Sequence, residues 1–316
     1  MKNQTFYKFE VDSCTSDRLD RIIASQLPEY SRSKIKYWIN NENITVNGKY
    51  CSPKDKIKKK SIVEVRISHQ DELDVIPENL PLNIHFEDED FIVIEKKSGM
   101  VTHIAPGNYN GTLQNGLLYH YPELKTVPRA GIIHRLDKQT TGLLIIARNI
   151  QSHYKLSDQM AKKKISKKYI ALCKDIISTN IVINEKIGRH KINRKKMAVT
   201  QRGKEAVSKI YVKEKYTKSS LIEVNIITGR THQIRVHLAH IGHPVLGDKL
   251  YGFKVSNFNY NTNLKDFFMN FEGHLLHAKY LSLKHPSTNK EVHFSCDEPE
   301  EFKKVNTILR QENEQS

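Results

Sequence analysis

Residues 131–142 carry the strongest candidate for a chemical role, Asp137, in the segment Gly-Ile-Ile-His-Arg-Leu-Asp-Lys-Gln-Thr-Thr-Gly. The segment leads into the apolar run Leu143–Ala147, which is typical of a buried strand. A charged side chain between buried elements costs free energy unless it is paired, so we expect a cation beside Asp137. A carboxylate held in this way can act as a base or as a nucleophile. The same pattern also fits a structural ion pair or a turn carboxylate without a catalytic role.

A second polar segment, residues 228–237, supplies the candidate partner. It reads Thr-Gly-Arg-Thr-His-Gln-Ile-Arg-Val-His, and Arg230 follows a predicted strand and adjoins a glycine, at a strand end where side chains converge on sites. We therefore predict an ion pair between Asp137 and Arg230. Histidine is frequent here and just beyond, at His232, His237, His240 and His243. Their spacing matches no known zinc pattern, and no cysteine or clustered carboxylate completes a ligand set, so we expect hydrogen-bonded or solvent-facing rings and no metal.

Several function classes lack their sequence signals. No GxxxxGKS or GxxxxGKT segment supports a P-loop phosphotransferase, and no GxGxxG after a strand supports a Rossmann-type nucleotide site. No apolar run approaches the roughly 18 residues of a membrane span, and the first six residues lack the apolar region of a secretory signal. The cysteines show no CxxC spacing, which indicates a reducing, cytoplasmic compartment; they are Cys14, Cys51, Cys173 and Cys296.

The 316-residue chain is strongly basic. It has 51 lysine and arginine residues against 35 aspartate and glutamate residues, a formal net charge of +16. A protein this basic usually binds a polyanion, because each cation placed on a phosphate releases a condensed counterion; solubility and compositional drift are the alternative explanations. Two basic runs, residues 162–168 and 189–196, are candidates to follow a phosphate backbone, and Tyr169 adds a ring on which a base could stack. The candidate RNA-binding side chains in these runs are Lys167, Lys168, Arg189, Lys195 and Lys196.

The distribution of charge divides the chain. Residues 1–68 are basic, residues 69–90 contain eight acidic residues and no lysine or arginine, and the remainder is again basic. The acidic stretch contains proline and is predicted to be a linker. We therefore predict a small N-terminal domain over residues 1–68, a large domain over residues 91–310 and a frayed tail over residues 311–316.

The N-terminal domain is predicted to contain two short helices and a hairpin. The first helix follows the polar residues Thr15 and Ser16 and ends at Pro28, and the second begins after Ser31 as its N-cap. The apolar face of the second helix holds Ile35, Trp38 and Ile39, and its other face holds the candidate RNA-binding residues Arg32, Lys34 and Lys36. The dipeptide Asn47-Gly48 predicts the turn of the hairpin.

The C-terminal domain is predicted to combine strands with few helices. Strands are predicted at residues 91–94, 143–147, 169–173 and 221–226, and helices at residues 151–164 and 232–240. Parallel βαβ repeats are not evident. We therefore predict an α+β fold with a mixed but mainly antiparallel sheet.

Several motifs, occurring in order, resemble the ribosomal large subunit pseudouridine synthases that share an H-R-L-D signature. The matching segments are residues 134–137, 141–144, 168–169, 229–237, 242–244, 247–248, 276–278 and 285–286, and residues 127–131 and 188–190 match one subgroup. Residues 15–68 resemble an S4 RNA-binding domain. One departure is Lys97, which replaces the proline of the family's D-K-P-x-G turn at residues 95–99 and leaves that turn less rigid.

The resemblance implies a role for four side chains. Asp137 would be the essential aspartate that acts on the ribose or the base of a uridine, and Arg230 would pair with it. Tyr169 would stack on the flipped uracil and could take a proton from C5, and Arg135 would enter the RNA stem that the uridine has left. Whether Asp137 acts as a nucleophile or as a base stays open.

The resemblance also implies a reaction and a substrate. The uracil is detached at N1, rotated and rejoined to C1′ through C5, which requires no cofactor and no metal. The implied partner is 23S ribosomal RNA or a large-subunit assembly intermediate, at the subunit-interface stem-loop called helix 69, and the implied enzyme is a cytoplasmic monomer. Two alternatives stay open: a non-catalytic RNA-binding assembly factor, and an RNA hydrolase, which would lack the clustered carboxylates of a two-metal site.

Overall fold

A computed structural model shows two compact units, one up to residue 74 and one from residue 75 onward. The structure describes residues 4–11, 17–28, 30, 32–68, 75–105, 107–257 and 262–314. The acidic linker predicted over residues 69–90 is therefore too long, because residues 75–90 belong to the second unit and contribute a strand to its sheet. Residues 69–74 lie outside the described residues.

The N-terminal unit is a four-stranded antiparallel sheet with two helices. Its elements are β1 (Gln4–Glu10), α1 (Leu19–Gln26), α2 (Arg32–Asn40), β2 (Ile44–Val46), β3 (Lys49–Tyr50) and β4 (Ile62–Ser68). The sheet order is β1-β4-β2-β3 in the described residues, and the predicted turn Asn47-Gly48 joins β2 to β3. The predicted helices are confirmed, whereas β1 was not predicted. The proposed helix starts at Thr15, Ser16 and Ser31 lie outside the described residues.

The core of this unit follows from the helical spacing of its apolar residues. Leu19 and Ile23 of α1 and Trp38 of α2 are completely buried, as predicted from their periodicity. They pack on Val63 and Val65 of β4.

The C-terminal unit is built on a large mixed sheet. Its strands are β5 (Ile84–Glu87), β6 (Phe91–Lys96), β7 (Thr141–Ala147), β8 (Ser166–Lys174), β9 (Ile181–Asn184), β10 (Ile187–Arg189), β11 (Met197–Val199), β12 (Val207–Tyr216), β13 (Ser219–Ile226), β14 (Leu276–Lys284) and β15 (Glu291–Ser295). Its helices are α3 (Leu113–His120), α4 (Ile150–Ala161), α5 (Gln233–His240), α6 (Thr262–Asn270) and α7 (Glu300–Glu314).

The strand order confirms the predicted α+β architecture. Within the described residues the order is β5-β6-β7-β14-β8-β13-β12-β9, with β15 paired to β14 and with β10 and β11 forming a separate hairpin. The predicted antiparallel pairing holds throughout this sheet except between β7 and β14, which run parallel at His277–Thr141 and Ala278–Gly142.

Both faces of the sheet are covered. Successive residues of a strand point to opposite faces, so Tyr169 of β8 enters one core and its neighbour Ile170 enters another. The second core is covered by α6 and α7, through residues such as Phe268 and Phe302. The frayed tail predicted from residue 311 is wrong as far as residue 314, because α7 continues there beyond its buried Leu309; residues 315–316 lie outside the described residues.

Candidate active site

Asp137 lies in an irregular loop whose backbone is tied down on both sides. The buried Leu136 anchors the loop in the core, and its N–H and carbonyl both bond to the Thr102 hydroxyl, at 3.3 and 2.9 Å. A turn then follows, in which the N–H of Thr140 donates to the carbonyl of Asp137 over 3.1 Å. The Asp137 side chain is 15% exposed, so its carboxylate is largely removed from water.

Lys96 fixes the backbone of the same loop through hydrogen bonds, a role that was not predicted from the sequence. Its ammonium is buried and donates to the carbonyls of Lys97, Met100 and Lys138, at 2.8, 3.0 and 3.0 Å. Burial lowers the pKa of Lys96 to about 7, and the charge on Asp137 acts in the opposite direction. The turn that lacks the family proline at Lys97 is therefore connected to the Asp137 loop by a lysine side chain.

Two buried histidines position the residues that follow Asp137. Nε2 of His274 lies 2.8 Å from the Thr140 hydroxyl, and Nδ1 of His277 lies 2.8 Å from the Thr141 hydroxyl. Burial lowers the pKa of His274 to about 3 and that of His277 to about 4. Both rings are therefore neutral hydrogen-bonding groups at neutral pH.

Arg235 provides the cation beside Asp137. Its Nη1 donates to Oδ2 of Asp137 over 3.0 Å, and its Nε and Nη2 donate to the two oxygens of Asp248, over 2.7 and 2.9 Å. The guanidinium also stacks over the Tyr251 ring, 4.9 Å from the centroid. Burial lowers the pKa of Arg235, but the hydrogen bonds and charge of Asp248, together with Asp137, raise it above the usual value, so the cation is permanent.

The predicted pairing of Asp137 with Arg230 is wrong. Nε of Arg230 donates instead to the carbonyl of Glu205 over 3.0 Å. Arg230 precedes α5, whereas Arg235 lies within that helix and is itself buried. A usable signal was present in the sequence: Arg235 lies between Ile234 and Val236, and an arginine in an apolar helical stretch requires a buried acid.

The histidines of this region act through hydrogen bonds. His232 caps α5 with a φ of 57°, places Nε2 3.8 Å from Oδ1 of Asp137 and bonds through Nδ1 to the Tyr251 hydroxyl at 2.7 Å. His237 contacts the Ser208 hydroxyl, and His243 the carbonyl of Lys174, both at 2.9 Å. Across the part of the chain that the structure describes, no group of three histidine, cysteine or acidic residues is arranged to hold a metal ion.

A cavity of about 550 Å³ opens beside Asp137. Five of the candidate catalytic and RNA-binding residues line it: Arg135, Asp137, Lys167, Tyr169 and Arg230. Arg135 is exposed, whereas Tyr169 is only 6% exposed. Burial, and next the charge on Asp137, raise the pKa of the Tyr169 phenol, so it is neutral at neutral pH.

The cavity is strongly electropositive. Its described lining has Asp137 as its one carboxylate, and Arg235 pairs with that carboxylate. The remaining cations are Arg129, Arg135, Lys163, Lys167 and Arg230. A polyanion with a neutral, planar group matches these surroundings, because the cations suit phosphates and the Tyr169 ring suits a base.

Known proteins are similar in sequence to this chain along most of its length. The family described as RNA pseudouridylate synthase matches residues 90–240, and the S4 domain matches residues 17–63. "Ribosomal large subunit pseudouridine synthase D" of Pseudomonas aeruginosa is 40% identical over 94% of this chain and 93% of its own length. The protein of the same name from Haemophilus influenzae is 40% identical over 93% of this chain and 91% of its own length.

The chain belongs to the RNA pseudouridine synthase family. It is therefore an isomerase of uridine in RNA, as the motifs predicted. The solved structure titled "Human RNA Pseudouridylate Synthase Domain Containing 1" has 27% identity and a TM-score of 0.55, covering 70% of this chain and 85% of its own. That likeness confirms the pseudouridine synthase fold.

The other basic residues predicted for the synthase unit do not line the cavity. The ammonium of Lys168 lies 3.6 Å from a carboxylate oxygen of Glu223. Arg189, at the end of β10, donates to the carbonyl of Arg194 over 3.2 Å. Lys195 and Lys196 directly precede β11. Arg189, Lys195 and Lys196 therefore all lie on the separate hairpin of β10 and β11. Their contact with RNA stays a prediction.

In the S4 unit, the predicted RNA-binding side chains share one buried acid. Asp20 is completely buried, and Arg32 and Lys36 approach it at 2.9 and 3.3 Å, with Arg18 at 3.1 Å. Burial raises the pKa of Asp20, but the hydrogen bonds and charges of its cationic neighbours, Arg32 and Lys36 first, together lower it by more, so the net pKa is below the usual value. The side chain of Lys34 lies outside the described residues. Three cations against one carboxylate leave this cluster positive.

Proposed function

We propose that this synthase converts uridines of 23S ribosomal RNA to pseudouridine, in the subunit-interface stem-loop called helix 69. The relatives from Pseudomonas aeruginosa and Haemophilus influenzae are named for the large ribosomal subunit and match nearly the whole chain. The observation that supports a catalytic site most directly is Asp137, a shielded carboxylate that accepts a hydrogen bond from Arg235 at the wall of an electropositive cavity.

The uridine must leave its stack before the glycosidic bond can be reached, which costs a few kcal/mol. The exposed Arg135 fills the vacated position in the stem, because a guanidinium can both stack and donate hydrogen bonds there. The extruded uracil stacks on Tyr169, whose ring forms part of the cavity wall. The phenol of Tyr169 is neutral, which favours stacking over a role as a ready base at C5.

Asp137 starts the reaction at the ribose or the base. The N1–C1′ bond breaks, the uracil rotates, and a C5–C1′ bond forms; the proton leaves C5 and N1 gains one, so no electrons are exchanged with a cofactor. Arg235 pairs with Asp137 and orients its carboxylate, the position expected from the sequence for Arg230. Because the isomerisation is balanced in this way, side chains are sufficient for it.

The enzyme acts on free 23S ribosomal RNA or on an assembly intermediate, as a cytoplasmic monomer. The charge of +16 supports an RNA partner. In the described residues no helix combines the length and the apolar character needed to cross a bilayer.

Mapping of pseudouridines in ribosomal RNA tests this proposal. Cells with and without the gene for this chain are compared, and the missing sites are restored by the wild type. We expect sites in helix 69 to disappear on deletion. A loss confined to another RNA would reject the proposed substrate and leave the family assignment intact.

A further inference from the structure

Lys167 is a buried cation for which the described part of the chain provides no paired anion. It is 9% exposed, and its ammonium has one hydrogen-bond partner in the described residues, the Met160 thioether at 3.4 Å. Among the described residues no carboxylate approaches it within the 4 Å of an ion pair. Its neighbour Lys168 differs in this respect, because Glu223 lies beside it.

The ammonium of Lys167 faces the active-site cavity. A Cβ added to Gly229 would lie 3.9 Å from Nζ, and Gly229, Met160 and Lys167 all line the cavity. The nearby charged groups do not neutralise it: burial, and next the charge of Lys167, lower the pKa of His134, and Arg230 is a second cation in the wall.

An unpaired buried ammonium is costly, and lysines are rarely found buried without a partner. Burial lowers the pKa of Lys167 to about 8, so the side chain is still mainly charged at neutral pH. Residues that destabilise a protein in this way are expected where a ligand compensates for the cost. In its described lining the wall supplies cations, and its one carboxylate is paired with Arg235, so the wall selects an anionic ligand.

We propose that Lys167 binds a backbone phosphate adjacent to the extruded uridine. This inference rests on the proposed function. Lys167 and Tyr169 lie two residues apart on β8 and therefore on the same face, about 7 Å from each other. A nucleotide with its base on Tyr169 has its flanking phosphates at a comparable distance from that ring. Uracil is neutral, so the anionic part of the bound nucleotide is its phosphate. The charged ammonium of Lys167 therefore recognises the RNA backbone.

Lys168 provides a matched control, because it adjoins Lys167 but points to the other face and pairs with Glu223. The variants Lys167→Met and Lys168→Met are compared with the wild-type full chain in binding to the helix 69 stem-loop. We expect Lys167→Met to weaken binding about tenfold to a hundredfold, the loss of one charge-assisted hydrogen bond. Lys168→Met removes a predicted RNA contact on the other face of β8, so its loss of affinity should be additive with the removal of any phosphate charge beside the uridine.

A series of stem-loops identifies the phosphate that Lys167 contacts. Each stem-loop carries a single neutral methylphosphonate, placed in turn at the phosphates on either side of the target uridine. At the phosphate that Lys167 binds, the methylphosphonate should lower the affinity of the wild type. The same methylphosphonate should not lower the affinity of Lys167→Met any further, because the contact is already absent from that variant. Additive losses at every flanking phosphate for Lys167→Met, or the same coupling to a phosphate for Lys168→Met, would overturn the proposal.

Two further readouts separate this result from other causes. The thermal unfolding temperature of Lys167→Met should equal or exceed that of the wild type, because an uncompensated charge is removed. A large decrease in that temperature would indicate a structural role for Lys167. Conversion of the unmodified stem-loop by the wild type tests the proposed function independently. Conversion without coupling to any phosphate rejects only the role of Lys167.

Discussion

Asp248 accepts two hydrogen bonds from Arg235, at 2.7 and 2.9 Å, and this fork directs the remaining nitrogen, Nη1, at Asp137. One guanidinium thus serves two carboxylates. A bidentate pair of this kind fixes direction as well as distance. The geometry at Asp137 therefore depends on Asp248, a residue that does not itself line the cavity.

Removal of Arg235 should be far more damaging to stability than removal of Arg230. Arg235→Gln leaves two shielded carboxylates without their cation, and we expect a loss of about 3–5 kcal/mol in the free energy of unfolding. Arg230→Gln gives up a hydrogen bond to the Glu205 carbonyl, and we expect a loss of about 1 kcal/mol or less. Urea unfolding measures both values, and equal losses would contradict the assignment.

Asp137→Asn should abolish catalysis without abolishing RNA binding. The amide keeps the shape of the side chain but cannot act as a nucleophile or a base, so we expect pseudouridine formation to fall by about 10³-fold or more. RNA affinity should stay within about threefold, since the contacts to phosphates are unchanged. Asp158→Asn, which alters an exposed pair with Lys162, is the control and should retain activity. Near wild-type turnover in Asp137→Asn would remove Asp137 from the mechanism.

Acid should destabilise the protein through His274. The ring is neutral when folded, with a pKa of about 3, and titrates near 6.5 when unfolded. The unfolded state therefore binds more protons between these values, so the stability present above pH 6.5 is lost as pH falls.

This loss amounts to about 2 kcal/mol for His274 between pH 7 and pH 5. In urea unfolding, the free energy of unfolding of His274→Gln should decrease between pH 7 and pH 5 by that amount less than the wild-type value does. His293→Gln, which changes an exposed ring, should behave as the wild type. The same acid loss in His274→Gln and the wild type would show that His274 is not the group responsible.

Gly131 should not tolerate a side chain. Arg129, Ala130 and Gly131 have consecutive positive φ values of 56°, 51° and 76°, and a Cβ on Gly131 would overlap the Ala147 carbonyl. We expect Gly131→Ala to cost about 3 kcal/mol or more, from strain and overpacking together. Gly242→Ala has a similar φ of 86° but open space, and should cost about 1–2 kcal/mol. Thermal unfolding of both variants provides the comparison.

Removal of the S4 unit should lower affinity for structured RNA while the synthase unit stays folded. Residues 75–316 form a compact unit with its own cores, so we expect cooperative unfolding of this fragment. Its binding should depend less steeply on salt, because the cations around Asp20 are gone. An unchanged salt slope would show that the S4 unit does not contact phosphates.

Local patterns in the sequence were enough to predict the class of fold and the main parts of the site. The apolar run at Leu143–Ala147 and the alternation at residues 221–226 are strands, because burial on one or both faces of a sheet leaves a direct trace in residue order. The need of Asp137 for a cation followed from the same reasoning, since a charge between buried elements requires a partner wherever the chain supplies it.

Only the tertiary structure decided which cation that is. Arg230 and Arg235 lie in one segment, and Arg235 is 98 residues from Asp137 in the chain. The choice depends on where α5 begins and on how that helix is buried beside the Asp137 loop. Lys167 and Lys168 are likewise equivalent in the sequence, and the orientation of β8 places one in the cavity and the other beside Glu223. Short-range order determines the elements, whereas pairing between distant side chains depends on the packing of the elements against one another.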